Sequence, residues 1–158
     1  MQKIQAKKSL GQNFLIDENA LTDIANGLEI TGKHIIEVGP GYGALTDYII
    51  DRSPLTLDLV ELDPDMIKIL EKKYNTTIIT IHHADVLRFI PPYQQYSVIA
   101  NIPYYITSPI LFHFLYDLEN QPDEMIIMMQ EEVGKKDSGM KSQKTTSFLP
   151  LALYGTRL

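Results

Sequence analysis

The chain has no cysteine among its 158 residues, which excludes disulfide bonds and thiolate metal centres. Its four histidines, His34, His82, His83 and His113, show no metal-ligand spacing beyond one adjacent pair, so no metal is expected. No apolar run approaches the ~20 residues that cross a bilayer. The opening MQKIQAKKSLGQ lacks the apolar core of a secretory signal, and a cytoplasmic protein with no membrane partner is expected. Positive charge is also scarce: the net charge of −6 argues against a uniformly basic nucleic-acid binder. The charge is uneven, however. Residues 1–16 carry Lys3, Lys7 and Lys8 without an acid, residues 134–158 carry five bases against Asp137, and the body between them carries −13. An acidic body with basic ends fits a domain that meets phosphate along one face, and equally fits solvated tails.

What the chain does have is alternation. Asp17 to Leu28 places Leu21, Ile24, Ala25 and Leu28 at helical spacing behind an Asp cap. Then HIIEVG (34–39) reads as a buried strand, ALTDYIIDR (44–52) as a helix, TLDLVELD (56–63) as a strand and PDMIKILEKKY (64–74) as a helix with proline at its first position. TIITIHHAD (77–85), YSVIAN (96–101), SPILFHFLYDL (108–118) and EMIIMMQEEV (124–133) continue as strand, strand, helix, strand. Such βαβ units predict one α/β domain with a doubly wound, mostly parallel sheet covered on both faces. Residues 134–146 read as a mobile loop, and SFLPLALYG (147–155) as a last strand with Pro150 inside it.

In such sheets ligands bind at the carboxyl ends of the strands, near the point where strand order reverses. The first strand runs into EVGPGYGALT (37–46), where Gly39, Gly41 and Gly43 allow a sharp turn and close approach of a ligand. The third glycine comes one residue early for the dinucleotide fingerprint G-x-G-x-x-G, and no lysine follows as in a P-loop. A pyrophosphate ligand, and with it a nicotinamide dehydrogenase, is therefore disfavoured. Glu61 closes the second strand, where a carboxylate can take both hydroxyls of a ribose, and Asp85 closes the third, where one can accept from the amine of an adenine. Together they describe a nucleoside lying across three adjacent strand ends with no provision for phosphates, which is the shape of S-adenosylmethionine.

The fourth strand ends in ANIPYYITSP (100–109). NIPY resembles the catalytic motif of amino-group methyltransferases; DNA adenine methyltransferases usually carry Asp/Asn-Pro-Pro-Tyr there. KKSLGQNFL (7–15), EVGPGYGALT, VELD (60–63), AD (84–85) and ANIPYYITSP, in this order, resemble the ribosomal RNA adenine dimethyltransferases. KKSLGQNFL brings the chain nearer to the small-subunit enzymes than to the macrolide-resistance enzymes of the large subunit.

The resemblance implies a Rossmann-like class I methyltransferase fold truncated at its C-terminal end. Residues 1–16 would form a basic segment closing the cofactor site, 17–158 would form the methyltransferase domain, and the helical domain that helps dock rRNA would be absent. It implies S-adenosylmethionine as cofactor and N6-dimethylation of adenosine in immature small ribosomal subunits, by a monomer. Asn13 and Leu15 would help close the cofactor site, Gly39 and Gly41 would lie against the cofactor, Glu61 would hold its ribose and Asp85 its adenine. Asn101, Ile102, Pro103 and Tyr104 would form the catalytic strand end, with the Asn101 amide and Ile102 carbonyl orienting the target amine and Tyr104 stacking on the target base. Tyr105 stands where relatives often carry Asn. A second reading is a cofactor-binding but weakly active assembly factor or fragment.

Overall fold

Segments such as HIIEV and SVIA are apolar on both faces, as a strand must be when helices cover it from both sides. In the computed structural model, which describes residues 18–130 and 153–154, β1 is His34–Val38, β2 Thr56–Glu61, β3 Ile79–His83, β4 Ser97–Pro103 and β5 Glu124–Gln130. These five strands are parallel, and β6, Leu153–Tyr154, joins β5 antiparallel. The order is β3-β2-β1-β4-β5-β6. The chain therefore winds outward from β1 to β3 and restarts on the other side of β1 with β4. Order reverses between those two strands.

Helices α1 (Glu18–Asn26), α2 (Ala44–Ile50) and α3 (Pro64–Lys73) cover one face. Ile24, Leu45, Ile49 and Leu70 pack there on Ile35, Leu57, Leu59 and Ile99. Sequence dictates the start of α3, where Asp63 accepts from the Asp65 amide at 2.8 Å and Pro64 occupies the first turn. The other face carries a 3-10 turn at Val86–Arg88 and α4, Tyr104–Phe112, with Val86, Phe89, Ile110 and Phe114 packed on Ile36, Val60 and Val98. Full burial of each such aliphatic side chain contributes about 1.5–3 kcal/mol.

One element differs from expectation. The helix predicted over 108–118 with Pro109 in its first turn begins instead at Tyr104, directly after Pro103, and Pro109 lies inside it. Pro103, with φ −59° and ψ 145°, ends the strand and starts the helix without a loop. The apolar face of Ile106, Ile110 and Phe114, at four-residue spacing, holds the segment helical against the sheet. Pro109 cannot donate to the carbonyl four residues back, and the helix finishes as a π turn over His113–Asp117.

The predicted cap Asp17, the basic segment 1–16 with Asn13 and Leu15, the loop 134–146 and residues 147–152 lie outside the described residues. Among the described residues, no helix is long and apolar enough to cross a membrane, and no group of three or more metal-binding side chains occurs.

Candidate active site

The cleft arises from how β1 ends. After Val38 the chain leans toward β2, because the Gly39 amide donates to the Val60 carbonyl at 3.0 Å. The β1–β4 ladder stops at Val38 and Ala100, whereas the β4–β5 ladder continues to Pro103 and Gln130. Asn101, Ile102 and Pro103 are thus flanked by a strand on the β5 side alone, and the glycine turn borders the other side. Gly39 has φ +68°, and a Cβ there would lie 3.6 Å from both the Asn101 carbonyl oxygen and the Ile102 Cγ2. A side chain would fill the space above the end of β4. Strand alternation sets Glu37, Glu61 and Asn101 on the face of Ile35, Leu59 and Ile99, all near the carboxyl edge.

Glu61 is 8% exposed. Its Oε1 accepts from the Leu62 and Asp63 amides at 2.8 and 2.9 Å, and its Oε2 from the Gly41 amide at 3.2 Å. A carboxylate offers about four acceptor positions, and the protein occupies three of them. One is left for a ligand hydroxyl, and a second hydroxyl requires a backbone donor to yield. The Ala84 amide donates to the Glu61 carbonyl at 3.0 Å, which sets the start of the next segment beside β2. Asp85 follows, half-buried, with Oδ1 accepting from the Leu87 amide at 3.0 Å. Its Oδ2 is left for a ligand.

Several residues that shape this edge were not singled out from sequence. Glu37 is 1% exposed and accepts from the Thr46 hydroxyl at 2.7 Å. Burial pushes its pKa up to about 8; the Thr46 hydrogen bond and Lys73 oppose the rise, and the charges of Asp47 and Glu61 add to it. Glu37 is protonated at neutral pH. At the end of α3, Lys73 and Tyr74 reach back to the glycine loop, contacting the Gly43 carbonyl at 3.3 and 2.8 Å respectively. On the opposite face, buried Asp58 accepts from His82 Nε2 at 2.6 Å and from the Tyr93 hydroxyl at 2.7 Å. Thr56 in turn donates to Tyr93 at 3.1 Å. This network fastens the segment that carries Asp85 to the sheet. Its hydrogen bonds join positions 24 to 37 residues apart and carry no local signal.

Gly39, Gly41, Glu61, Asp85, Asn101, Ile102 and Pro103 are thus gathered at one edge of the sheet, and Tyr104 is placed there by its backbone as the first residue of α4. The family model of the Ribosomal RNA adenine dimethylases matches residues 3–155. The chain belongs to that family. It is 36% identical over 153 residues to ribosomal RNA small subunit methyltransferase A of Mycoplasmopsis pulmonis, covering 95% of this chain and 59% of the relative. The protein of the same name from Listeria monocytogenes serotype 4b is 39% identical over 162 residues, covering 93% and 53%. Among solved structures, 23S rRNA methyltransferase ErmE superposes with a TM-score of 0.66 at 32% identity, over 80% of this chain and 52% of that one. A dimethyladenosine transferase from Plasmodium falciparum gives 0.65 at 22% identity, over 75% and 44%, and bears on the fold alone. The fold is the Rossmann-like class I methyltransferase fold, as the sequence predicts. The chain spans between 52% and 62% of the length of the curated relatives it matches.

Proposed function

We propose that the chain carries the cofactor-binding and catalytic site of an S-adenosylmethionine-dependent enzyme that dimethylates the N6 amine of adenosine in small-subunit rRNA, within immature small subunits. The observation that carries this reading is the NIPY strand end overhanging β1 beside a glycine turn that only a Cβ-free residue keeps open. The glycine cradle, the remaining acceptor position on Glu61 and the Oδ2 of Asp85 fit a nucleoside whose linkage carries no phosphate. Gly39 and Gly41 would lie along S-adenosylmethionine, Glu61 would hold its ribose, Asp85 its adenine, and Asn13 and Leu15 would close over it. When bound, the cofactor supplies an electrophilic methyl group on a sulfonium.

The chain's own task is to make a poor nucleophile competent. The lone pair of the N6 amine is delocalised into the adenine ring. The Asn101 amide oxygen and the Ile102 carbonyl would accept the two amine protons and favour a pyramidal nitrogen, a positioning effect that requires no strong base. Pro103 fixes the backbone at that point. Tyr104 would stack on the extruded base, a contact that contributes about 1–3 kcal/mol. We take the protein to act on rRNA in the cytoplasm, as a monomer.

Radiolabelled S-adenosylmethionine incubated with immature small subunits, followed by mapping of the labelled base, tests the proposal. Label on a small-subunit adenosine is expected. The likeness to ErmE motivates a parallel incubation with large-subunit precursors, and label found only there would replace the small-subunit assignment. Because the chain spans little more than half of its relatives, tight cofactor binding with slow turnover is the second reading.

A further inference from the structure

We infer that Lys73 and Tyr74 are positioning residues for the cofactor loop: they fasten Tyr42, Gly43 and Asp47 to the end of α3 and so hold the glycine turn in its ligand-ready shape. The inference rests on the proposed cofactor site and adds to it residues that touch no ligand. Lys73 Nζ donates to the Tyr42 carbonyl at 3.3 Å, the Gly43 carbonyl at 3.3 Å and Asp47 Oδ2 at 2.6 Å. An ammonium has three protons, and all three are engaged. Lys73 therefore has none to offer an anionic ligand, although it is a cation beside a glycine-rich turn.

Tyr74 acts on the same atoms. Its hydroxyl lies 2.8 Å from the Gly43 carbonyl and 2.7 Å from Asp47 Oδ1, so one proton is shared between two acceptors. Burial, and then the hydrogen bond to Asp47, raise its pKa and keep that proton in place. A Cβ on Gly43 would run into the Tyr74 ring and hydroxyl. Gly43 also has φ +79°, so glycine is required there by the backbone and by Tyr74 together. The loop is gripped from both sides. Its carbonyls at 42 and 43 are drawn toward α3, while the Gly41 amide is held by Glu61 on β2. The ion pair of Lys73 with Asp47 is exposed enough to contribute little to stability by itself. Its effect lies in the direction the loop faces.

The test uses Tyr74→Phe, Lys73→Met and the conservative Lys73→Arg, with two readouts in the full chain: amide hydrogen exchange of residues 40–47 without ligand, and calorimetric affinity for S-adenosylmethionine. Tyr74→Phe and Lys73→Met should speed exchange in that loop and weaken cofactor binding about tenfold, with melting temperatures close to the parent's. Lys73→Arg, which keeps charge and donors, should restore most of the affinity. Unchanged exchange in Tyr74→Phe and Lys73→Met would overturn the fastening. Faster exchange with affinity within twofold of the parent would overturn the positioning role. If the parent chain binds no S-adenosylmethionine while the exchange difference appears, the cofactor reading fails and the fastening of the loop stands.

Discussion

Glu37→Gln isolates a single buried proton. The Glu37 carboxyl has a pKa of about 8 in the folded chain against an ordinary 4.5, so between those values the folded state holds a proton that the unfolded state releases. The contribution of Glu37 to stability must therefore be full below pH 4.5, fall as pH rises, and stop falling near pH 8. At pH 7 the accumulated loss is about 3 kcal/mol, each pH unit beyond 4.5 taking about 1.4 kcal/mol. Gln keeps an oxygen for the Thr46 hydroxyl and cannot ionise. Its extra N–H adds a fixed penalty of up to about 1–3 kcal/mol if it finds no acceptor, which displaces the variant's stability by the same amount at every pH. The diagnostic is the difference in unfolding free energy between variant and parent, from urea titrations at half-unit steps between pH 5 and 8.5. That difference should climb steadily in favour of Gln and flatten near pH 8. Parallel pH curves for the two proteins would refute a protonated Glu37, whatever the offset between them.

Glu61→Ala should abolish most S-adenosylmethionine affinity in calorimetry, because it removes a charged acceptor worth about 1.5–3 kcal/mol per hydrogen bond and frees the Gly41 amide. Unchanged affinity would reduce Glu61 to a holder of its own turn. Asn101→Ala should lower single-turnover rate far more than RNA affinity, whereas Tyr104→Ala should lower both, since stacking also retains the substrate; parent-rate methylation by Asn101→Ala would end the amine-orienting role. A chain extended to the full length of its relatives should methylate immature small subunits faster than the 158-residue chain, whose residual RNA binding should fall steeply with salt. Equal rates on the same adenosine would move target recognition to the N-terminal basic segment and the NIPY loop.

The parts of this molecule that could be read from sequence are those whose causes are local. Pro64 announces the start of α3 because proline favours a first turn, whereas Asp63, read as the end of the strand, is the cap. The glycine turn, Glu61 at the end of β2 and Asp85 just beyond β3 could be placed because each follows a visible apolar run. The start of α4 was misplaced because two prolines compete as helix starters, and packing of Ile106 and Ile110 on the sheet decides for Pro103. Glu37 stood inside a recognised motif, yet its proton depends on burial by elements distant in the chain, against the hydrogen bond from Thr46 on α2. Lys73 and Tyr74 stand 30 and 31 residues from the carbonyl they share, and no periodicity connects positions so far apart. Sequence makes Glu61 a candidate to hold a ribose, but how much of its accepting capacity the backbone already uses could not be read there.

The unequal ladders on the two sides of β4 leave a strand edge in the middle of the sheet. At about 3.3 Å per residue, three residues make a flank about 10 Å long that the glycine turn, in place of a strand, borders. Proteins usually guard edges with charge or bulges at the periphery; here Ile102 is buried, and the backbone of the Gly39 turn lies against the flank. The glycine turn is therefore the cover of this flank as well as a wall of the candidate site. A side chain at Gly39, where φ is +68°, should disturb both at once, and Gly39→Ala should speed amide exchange at residues 101 and 102.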